Sequence, residues 1–190
     1  MNKKYVFWPF ISSDSYDGDG GKHGVRYTLH EFARPNKSIS YIRYGSKKHL
    51  GRLANCNDPN KSLYITGHGG AGLPFICTHP LGNGEKLSAM VIVDRLIEYG
   101  LRKSSRCKIK IFTCESGAAD VLPCFADIFW YVMQEKGYTN NPVFGYKYKV
   151  GANDGDNTTI FWGEDPEQGK GVWRHASRVR NVMPQGVSFP

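Results

Sequence analysis

Two residues of the chain, His68 and Cys114, carry side chains that together could perform nucleophilic catalysis. A thiol is mostly protonated near neutral pH, and it becomes a competent nucleophile beside an imidazole that accepts its proton. The imidazole can then return the proton to the leaving group. A single histidine is more often a satisfied polar residue and a single cysteine a small buried hydrophobe, so the flanking sequence decides the interpretation.

Both residues follow short, mostly apolar runs that are typical of buried strands. Residues 63–66 precede His68, residues 109–112 precede Cys114, and glycine-containing sequence comes after each. Open parallel sheets place their chemistry at the carboxyl ends of their strands. Gly69, directly after the histidine, allows a substrate carbonyl to approach the backbone closely. We therefore predict an oxyanion hole formed by the backbone N–H groups of Gly69 and Cys114.

The sequence around these two residues resembles the caspase-like cysteine peptidases of clan CD. In that family an apolar strand precedes a His-Gly pair, and a second apolar strand precedes the catalytic cysteine. The block Thr-Gly-His-Gly-Gly at residues 66–70 is similar to the histidine block of the glycosylphosphatidylinositol transamidase catalytic subunit. The block Cys-Glu-Ser-Gly at residues 114–117 is similar to the Ala-Cys-Glu-Ser-Gly block of legumains. Both blocks occur in the order found in the family.

The resemblance implies a cysteine endopeptidase in which His68 and Cys114 cleave a protein or peptide substrate through an acyl-enzyme, with self-processing as one outcome. Transfer of the acyl group to an amine would instead make the chain a transamidase of the same fold. Legumains have a pocket glutamate two residues before the cysteine, whereas this chain has Phe112, so asparagine preference is not implied. The candidate substrate-binding residues are Arg26, Glu115, Ser116 and Tyr146. For Arg26 and Tyr146 a surface or packing role is the more common alternative.

Strand and helix patterns alternate along the chain, which predicts an α/β fold with a mostly parallel central sheet covered on both faces. This agrees with the three-layer caspase-like fold that the resemblance implies. A chain of 190 residues with 40% hydrophobic content suits a single domain over residues 1–190. The predicted strands span residues 5–11, 38–44, 63–66, 108–113 and 142–150, and the predicted helices span residues 23–34, 87–99 and 118–136.

The helix predicted over residues 118–136 would begin just after Cys114. A helix N-terminus lowers the pKa of a nearby thiol, so this placement predicts an activated nucleophile. Residues 12–21 and 151–171 are rich in turn-forming residues and are predicted to be loops.

The cysteines favour reduced thiols. Five are present, which argues against a closed disulfide framework, and none forms a C-x-x-C pair. Cys77 and His79 stand close together, but no second pair at zinc-finger spacing accompanies them, so no metal site is predicted. The proposed chemistry requires no cofactor.

No run in the sequence approaches the roughly 20 apolar residues of a membrane span. Residues 3–11 read as a strand rather than a signal peptide, because their apolar centre is short and contains a proline. We therefore expect either a cytoplasmic protein or an effector delivered into another cell, since both would share this composition.

The chain carries a formal net charge of +8, concentrated in three basic clusters that could attract a polyanion. A solvated surface is the simpler interpretation. The cysteine protease domains of bacterial RTX toxins, another caspase-like group, are activated by inositol hexakisphosphate at a basic patch, so the resemblance implies a similar activator. A non-catalytic module that binds nucleic acid is the competing function, but no recognised motif supports that partner. The clusters are Lys47, Lys48 and Arg52; Arg102, Lys103, Arg106, Lys108 and Lys110; and Lys170, Arg174, Arg178 and Arg180.

Overall fold

The computed structural model describes residues 3–11, 39–79, 84–118, 123–153, 160–164, 173–175 and 180–182. Within those ranges it contains a six-stranded sheet, two smaller sheets and two α-helices. The strands in chain order are β1 (Lys4–Trp8), β2 (Ile39–Arg43), β3 (Ser62–Thr66), β4 (Phe75–Cys77), β5 (Lys86–Ser88), β6 (Lys108–Phe112), β7 (Val143–Tyr146), β8 (Val150–Asn153), β9 (Ile160–Glu164), β10 (Trp173–His175) and β11 (Arg180–Val182).

The six-stranded sheet has the spatial order β11-β7-β6-β3-β1-β2. Its five neighbouring strands from β7 to β2 are parallel, and β11 pairs antiparallel to β7 at one edge. The predicted α/β class and mostly parallel sheet are therefore confirmed. Parallel strands end at the same edge of a sheet, so the segments after β3 and β6 emerge side by side.

Two α-helices are described, α1 (Ala89–Glu98) and α2 (Phe125–Glu135). The Ser88 side chain caps α1 by accepting a hydrogen bond from the Val91 N–H, and Gly100 follows its end with a φ of +97°. Neither described helix is long and apolar enough to cross a membrane. The helix predicted over residues 23–34 lies outside the described residues.

The central strands β7, β6, β3 and β1 are buried on both faces. On one face, strand residues such as Phe7, Ile65 and Ile111 share an apolar core with α1 and α2, so both helices pack on that face. Burial on both faces explains why the strands read as continuous apolar runs. The opposite face carries a second apolar cluster of Val6, Ile39, Tyr64, Phe112 and Tyr146.

All five predicted strands are present, with small shifts at their ends, but some elements were missed. The strand predicted over residues 142–150 is divided into β7 and β8, because the chain bends at residues 147 and 148. β9 and most of β8 lie in residues 151–171, which were predicted to be a loop. β4 and β10 were not predicted, and the end of β5 falls in the helix predicted over residues 87–99. Strands of three residues are too short to show a clear periodicity in sequence.

Candidate active site

His68 and Cys114 lie at the same edge of the sheet, just beyond neighbouring strands. β3 and β6 are adjacent and parallel, and their register pairs Thr66 with Phe112. His68 is two residues beyond Thr66, and Cys114 is two residues beyond Phe112. The structure therefore brings the two candidate catalytic residues to equivalent positions at the carboxyl ends of adjacent strands.

The segments that carry these residues are in backbone contact. We call residues 67–73 the histidine loop and residues 113–118 the cysteine loop. A Cβ atom added at Gly69 would lie 2.9 Å from Thr113 Oγ1 and 3.0 Å from the Cys114 carbonyl oxygen. Any side chain at position 69 would push the loops apart, so the predicted oxyanion-hole glycine is also the residue that lets them touch.

A short β-bridge fixes the backbone of His68. Its N–H donates to the Cys77 carbonyl, and its own carbonyl accepts the Cys77 N–H, both at 2.9 Å. Cys77 belongs to β4, which pairs with β5 as an antiparallel ribbon. The β4–β5 ribbon, which sequence reasoning missed, therefore holds the start of the histidine loop in place.

The cysteine loop is a turn anchored on the chain around β7. The Glu115 N–H donates to the Tyr148 carbonyl at 3.0 Å, and the Gly117 N–H donates to the Tyr146 carbonyl at 2.9 Å. These two bonds hold the chain on the C-terminal side of Cys114, and β6 holds it on the N-terminal side. The nucleophile candidate is thus positioned by two neighbouring strands of the sheet.

Ser116 and Tyr146, suggested as substrate-binding residues, are each only 1% exposed. The Ser116 hydroxyl donates to the Ile111 carbonyl at 2.7 Å and accepts the Tyr146 N–H at 3.1 Å. The Tyr146 ring packs edge-on against Phe112, with ring centroids 5.4 Å apart. In this structure both residues support the cysteine loop from the core, and neither presents a surface to a substrate.

Gly117 and Gly145 allow the cysteine loop to lie directly on β7. A Cβ atom added at Gly145 would lie 2.6 Å from the Gly117 Cα and 2.8 Å from the Ala126 Cβ. Both positions therefore exclude a side chain. Sequence reasoning did not assign this role to either glycine, because the close approach depends on a partner distant in the chain.

The Cys114 thiol is half-buried, whereas the other four cysteines are buried, and all five are free thiols as predicted. Its Sγ lies 3.8 Å from the Val150 carbonyl oxygen. Burial raises the pKa of the Cys114 thiol above its ordinary value; the Glu115 carboxylate adds to this effect and the Lys149 ammonium opposes it. Reaction of this thiol at neutral pH therefore calls for a base that removes its proton.

The prediction that a helix N-terminus lowers the pKa of Cys114 was wrong. α2 begins at Phe125 rather than near residue 118, with Cys124 as its N-cap. The Asp127 carboxylate accepts the Cys124 N–H at 3.0 Å, and this capping interaction sets the helix start. The start of α2 is therefore not a source of activation for the Cys114 thiol.

Glu115, another suggested substrate-binding residue, connects the two loops directly. Its Oε2 accepts the Ala71 N–H at 3.1 Å. Its backbone has a φ of +55°, and among the described residues other than glycine it alone has a positive φ. The side chain next to the nucleophile therefore already has a partner in the histidine loop.

The remaining suggested pocket residue, Arg26, lies outside the described residues. Phe112, at the position of the legumain pocket glutamate, is 2% exposed and packs edge-on against Tyr64 as well as Tyr146. The chain thus has a core aromatic residue where the resemblance expects a carboxylate that selects the substrate.

In the part of the chain that the structure describes, no three His, Cys, Asp or Glu side chains come together to hold a metal ion. The Cys77 thiol donates instead to the His79 backbone carbonyl at 3.0 Å.

The chain matches no protein-family model and no curated protein sequence.

Proposed function

We propose that the chain is a cysteine peptidase with the caspase-like form of the α/β fold. One observation carries the proposal: His68 and Cys114 occupy register-equivalent positions beyond adjacent strands, with the Gly69 backbone against the cysteine loop. A strand that ends in His-Gly beside a strand that ends in cysteine is the arrangement that the sequence resemblance implies.

In the proposed reaction His68 removes the thiol proton as Cys114 Sγ attacks the carbonyl carbon of a substrate amide. Burial raises the pKa of that thiol, so the attack depends on a base that takes its proton. The backbone N–H groups of Gly69 and Cys114 donate to the tetrahedral oxyanion. His68 then protonates the leaving amine as the C–N bond breaks. Water, deprotonated by His68, hydrolyses the remaining thioester and restores the thiol.

An amine that intercepted the acyl-enzyme before water would give transamidation. Both reactions share the same nucleophile and the same thioester, so the loops described here serve either one. Adding a small amine acceptor to the assay distinguishes them, because a transamidase forms the new amide at the expense of the acid.

Covalent labelling of Cys114 tests the proposal. Acyloxymethyl-ketone peptides carrying Asn, Asp, Arg, Lys or Leu at the recognition position should add once to the wild-type protein, as read by intact mass. Cys114→Ala should remain unlabelled, and His68→Ala should label far more slowly. Cys107→Ser is the matched control, because it replaces a buried thiol at the opposite end of β6 from Cys114 and should label like the wild type. Failure of every probe on folded wild-type protein, with and without inositol hexakisphosphate, would refute the peptidase.

Binding of a polyanion is a second candidate function, favoured by the contact between two of the basic clusters. A Cβ atom added at Gly100 would lie 3.0 Å from the Gly51 Cα, and the Leu53 N–H donates to the Tyr99 carbonyl at 3.0 Å. These contacts bring the two basic segments side by side. The basic surface so formed consists of the exposed residues Lys47, Lys48, Arg52, Arg102, Lys103 and Arg106.

Lys110, assigned to one of these clusters from sequence, is not part of the basic surface. It is 7% exposed, and its ammonium donates to the Tyr64 hydroxyl at 2.8 Å within the sheet. Lys170 and Arg178 lie outside the described residues, and Arg174 and Arg180 lie on β10 and β11.

Polyanion binding should weaken steeply with salt, because each neutralised phosphate releases counterions. Titration of a labelled oligonucleotide and of inositol hexakisphosphate at several salt concentrations measures this dependence. Charge reversal at Arg52 and Arg102 should abolish binding, while Cys114→Ala should leave it unchanged. Binding that survives the charge reversals would exclude the basic surface as the site.

A further inference from the structure

We propose that Glu115 is a positioning residue whose carboxylate clasps the histidine loop to the cysteine loop and thereby fixes His68 relative to Cys114. The inference rests on the proposed peptidase function and adds a residue to its machinery. It assigns to Glu115 a task within the protein rather than in substrate recognition.

The Glu115 side chain is hydrogen-bonded to the backbone of the histidine loop. Glu115 Oε2 accepts the Ala71 N–H at 3.1 Å, and a Cβ atom at Gly70 would lie 3.9 Å from the same oxygen. A carboxylate acceptor makes a hydrogen bond roughly twice as strong as a neutral one. Ala71 is three residues beyond His68, so the bond holds the far side of the histidine loop.

The backbone of Glu115 is in the left-handed region of φ. A φ of +55° favours glycine, and the other positive-φ positions among the described residues are all glycines. A non-glycine residue in this region costs on the order of 1 kcal/mol. Glycine at position 115 would form the same turn without this cost. The Glu115 side chain is therefore the feature that offsets the backbone strain.

The two ends of this clasp differ in how firmly they are held. The Glu115 N–H is bonded to the Tyr148 carbonyl at 3.0 Å, which ties the cysteine loop to the chain after β7. The histidine loop has little side-chain packing of its own, because residues 69, 70 and 72 are glycine and residue 71 is alanine. Loss of the Glu115 carboxylate should therefore release the part of the histidine loop beyond the β-bridge at His68 and leave the cysteine loop in place.

Three substitutions separate the hydrogen bond from the charge and from the backbone strain. Glu115→Gln keeps an acceptor oxygen at the same reach but removes the charge. Glu115→Ala removes both and keeps a Cβ atom at positive φ. Glu115→Gly also removes both but relieves the strain, so it should be at least as stable as the wild type. Glu135→Ala, which removes an exposed carboxylate at the end of α2, is the matched control.

Turnover of a peptide substrate identified by the labelling panel gives the first readout. We expect kcat to fall about tenfold or more in Glu115→Ala and Glu115→Gly, with KM changed by less than about threefold, because misplaced catalytic groups slow the chemical step. Glu115→Gln should retain most of the wild-type rate. The second readout is alkylation of Cys114 by iodoacetamide against pH. Its rate at neutral pH should be lower in the alanine and glycine variants than in Glu115→Gln. All three lose the carboxylate that raises the pKa of the Cys114 thiol, and only these two also lose the aligned base.

Equal kcat in the wild type, Glu115→Ala and Glu115→Gly would overturn the clasp. So would identical losses in the glutamine, alanine and glycine variants, because that pattern would trace the effect to the charge. A kcat that falls in Glu115→Ala and recovers in Glu115→Gly would also overturn the clasp, because that pattern would attribute the loss to backbone strain. Absence of Cys114-dependent labelling in the wild type itself is a different result, and it would refute the peptidase rather than the clasp.

Discussion

Thr66 and Phe112 are paired across the parallel strands β3 and β6, and this pairing sets the relative positions of His68 and Cys114. A register shift of one residue would turn every side chain of one strand to the other face of the sheet. Apolar clusters on both faces oppose such a shift. The candidate site therefore depends on the core of the sheet as much as on the loops that carry its side chains.

Replacing Gly69 with alanine should lower Cys114-dependent turnover by about tenfold or more and destabilise the fold by about 1–3 kcal/mol. The new Cβ would meet Thr113 Oγ1 at 2.9 Å and the Cys114 carbonyl oxygen at 3.0 Å, so the histidine loop must move away. Gly70→Ala is the control, because its Cβ would meet the flexible Leu73 side chain at 3.3 Å and Glu115 Oε2 at an ordinary contact distance of 3.9 Å, with no backbone atom among these contacts. Steady-state kinetics and thermal unfolding of both variants measure the effect; equal rates would contradict the role of Gly69.

Replacing Ser116 with alanine should destabilise the fold by about 1–3 kcal/mol, because the buried Tyr146 N–H would lose its acceptor. The Ile111 carbonyl would keep the bond donated by the Thr113 N–H at 2.9 Å. Urea unfolding measures the free energy. The exposed Ser104→Ala should change it by less than about 0.5 kcal/mol, and a similar value for both variants would show that the Ser116 bonds contribute nothing.

The parallel sheet could be predicted from the sequence because its signals are local. Each buried strand is a short apolar run, and the runs before His68 and Cys114 end in glycine-containing loops, so their position at a sheet edge followed from pattern alone. No local signal shows that these two strands are neighbours in the sheet. The structure gives that pairing through the register of β3 and β6.

The support of the site could not be predicted, because it depends on partners distant in the chain. The Ser116 hydroxyl meets the Tyr146 N–H across a separation of 30 residues, and nothing in Cys-Glu-Ser-Gly indicates that contact. The start of α2 was misplaced for a different reason. Cysteine is an uncommon N-cap, so Cys124 and its bond with Asp127 were not recognised as a helix start.

Replacing Gly145 with alanine should cost about 3 kcal/mol or more, or prevent folding, because backbone and core atoms surround the added Cβ. That atom would lie 2.6 Å from the Gly117 Cα and 2.8 Å from the Ala126 Cβ. Gly45→Ala is the control: its φ is +80°, but nothing lies within 4 Å of the added Cβ, so only the strain remains. That strain should cost about 1–2 kcal/mol. Equal losses measured by urea unfolding would rule out the predicted overlap at Gly145.

Stability at alkaline pH should depend on Cys124, the buried N-cap of α2. Burial, followed by the hydrogen bond with Asp127, raises the pKa of the Cys124 thiol to about 12. The unfolded chain releases this proton near the ordinary thiol pKa of about 8.5. The stabilising contribution is therefore complete below that pH and is lost as the pH rises toward the folded-state value. Between about pH 7.5 and pH 10.5 the loss amounts to roughly 2–3 kcal/mol.

Cys124→Ser isolates this titration, because a serine hydroxyl keeps the capping acceptor but does not ionise in the range. The free energy of unfolding of the wild type should therefore fall relative to that of Cys124→Ser as the pH rises, as measured by urea unfolding at several pH values. Burial also raises the pKa values of Tyr99 and Tyr138, but these groups titrate in both proteins and cancel in the difference. A difference that stays constant from neutral to alkaline pH would show that the proton on Cys124 does not contribute to this stability.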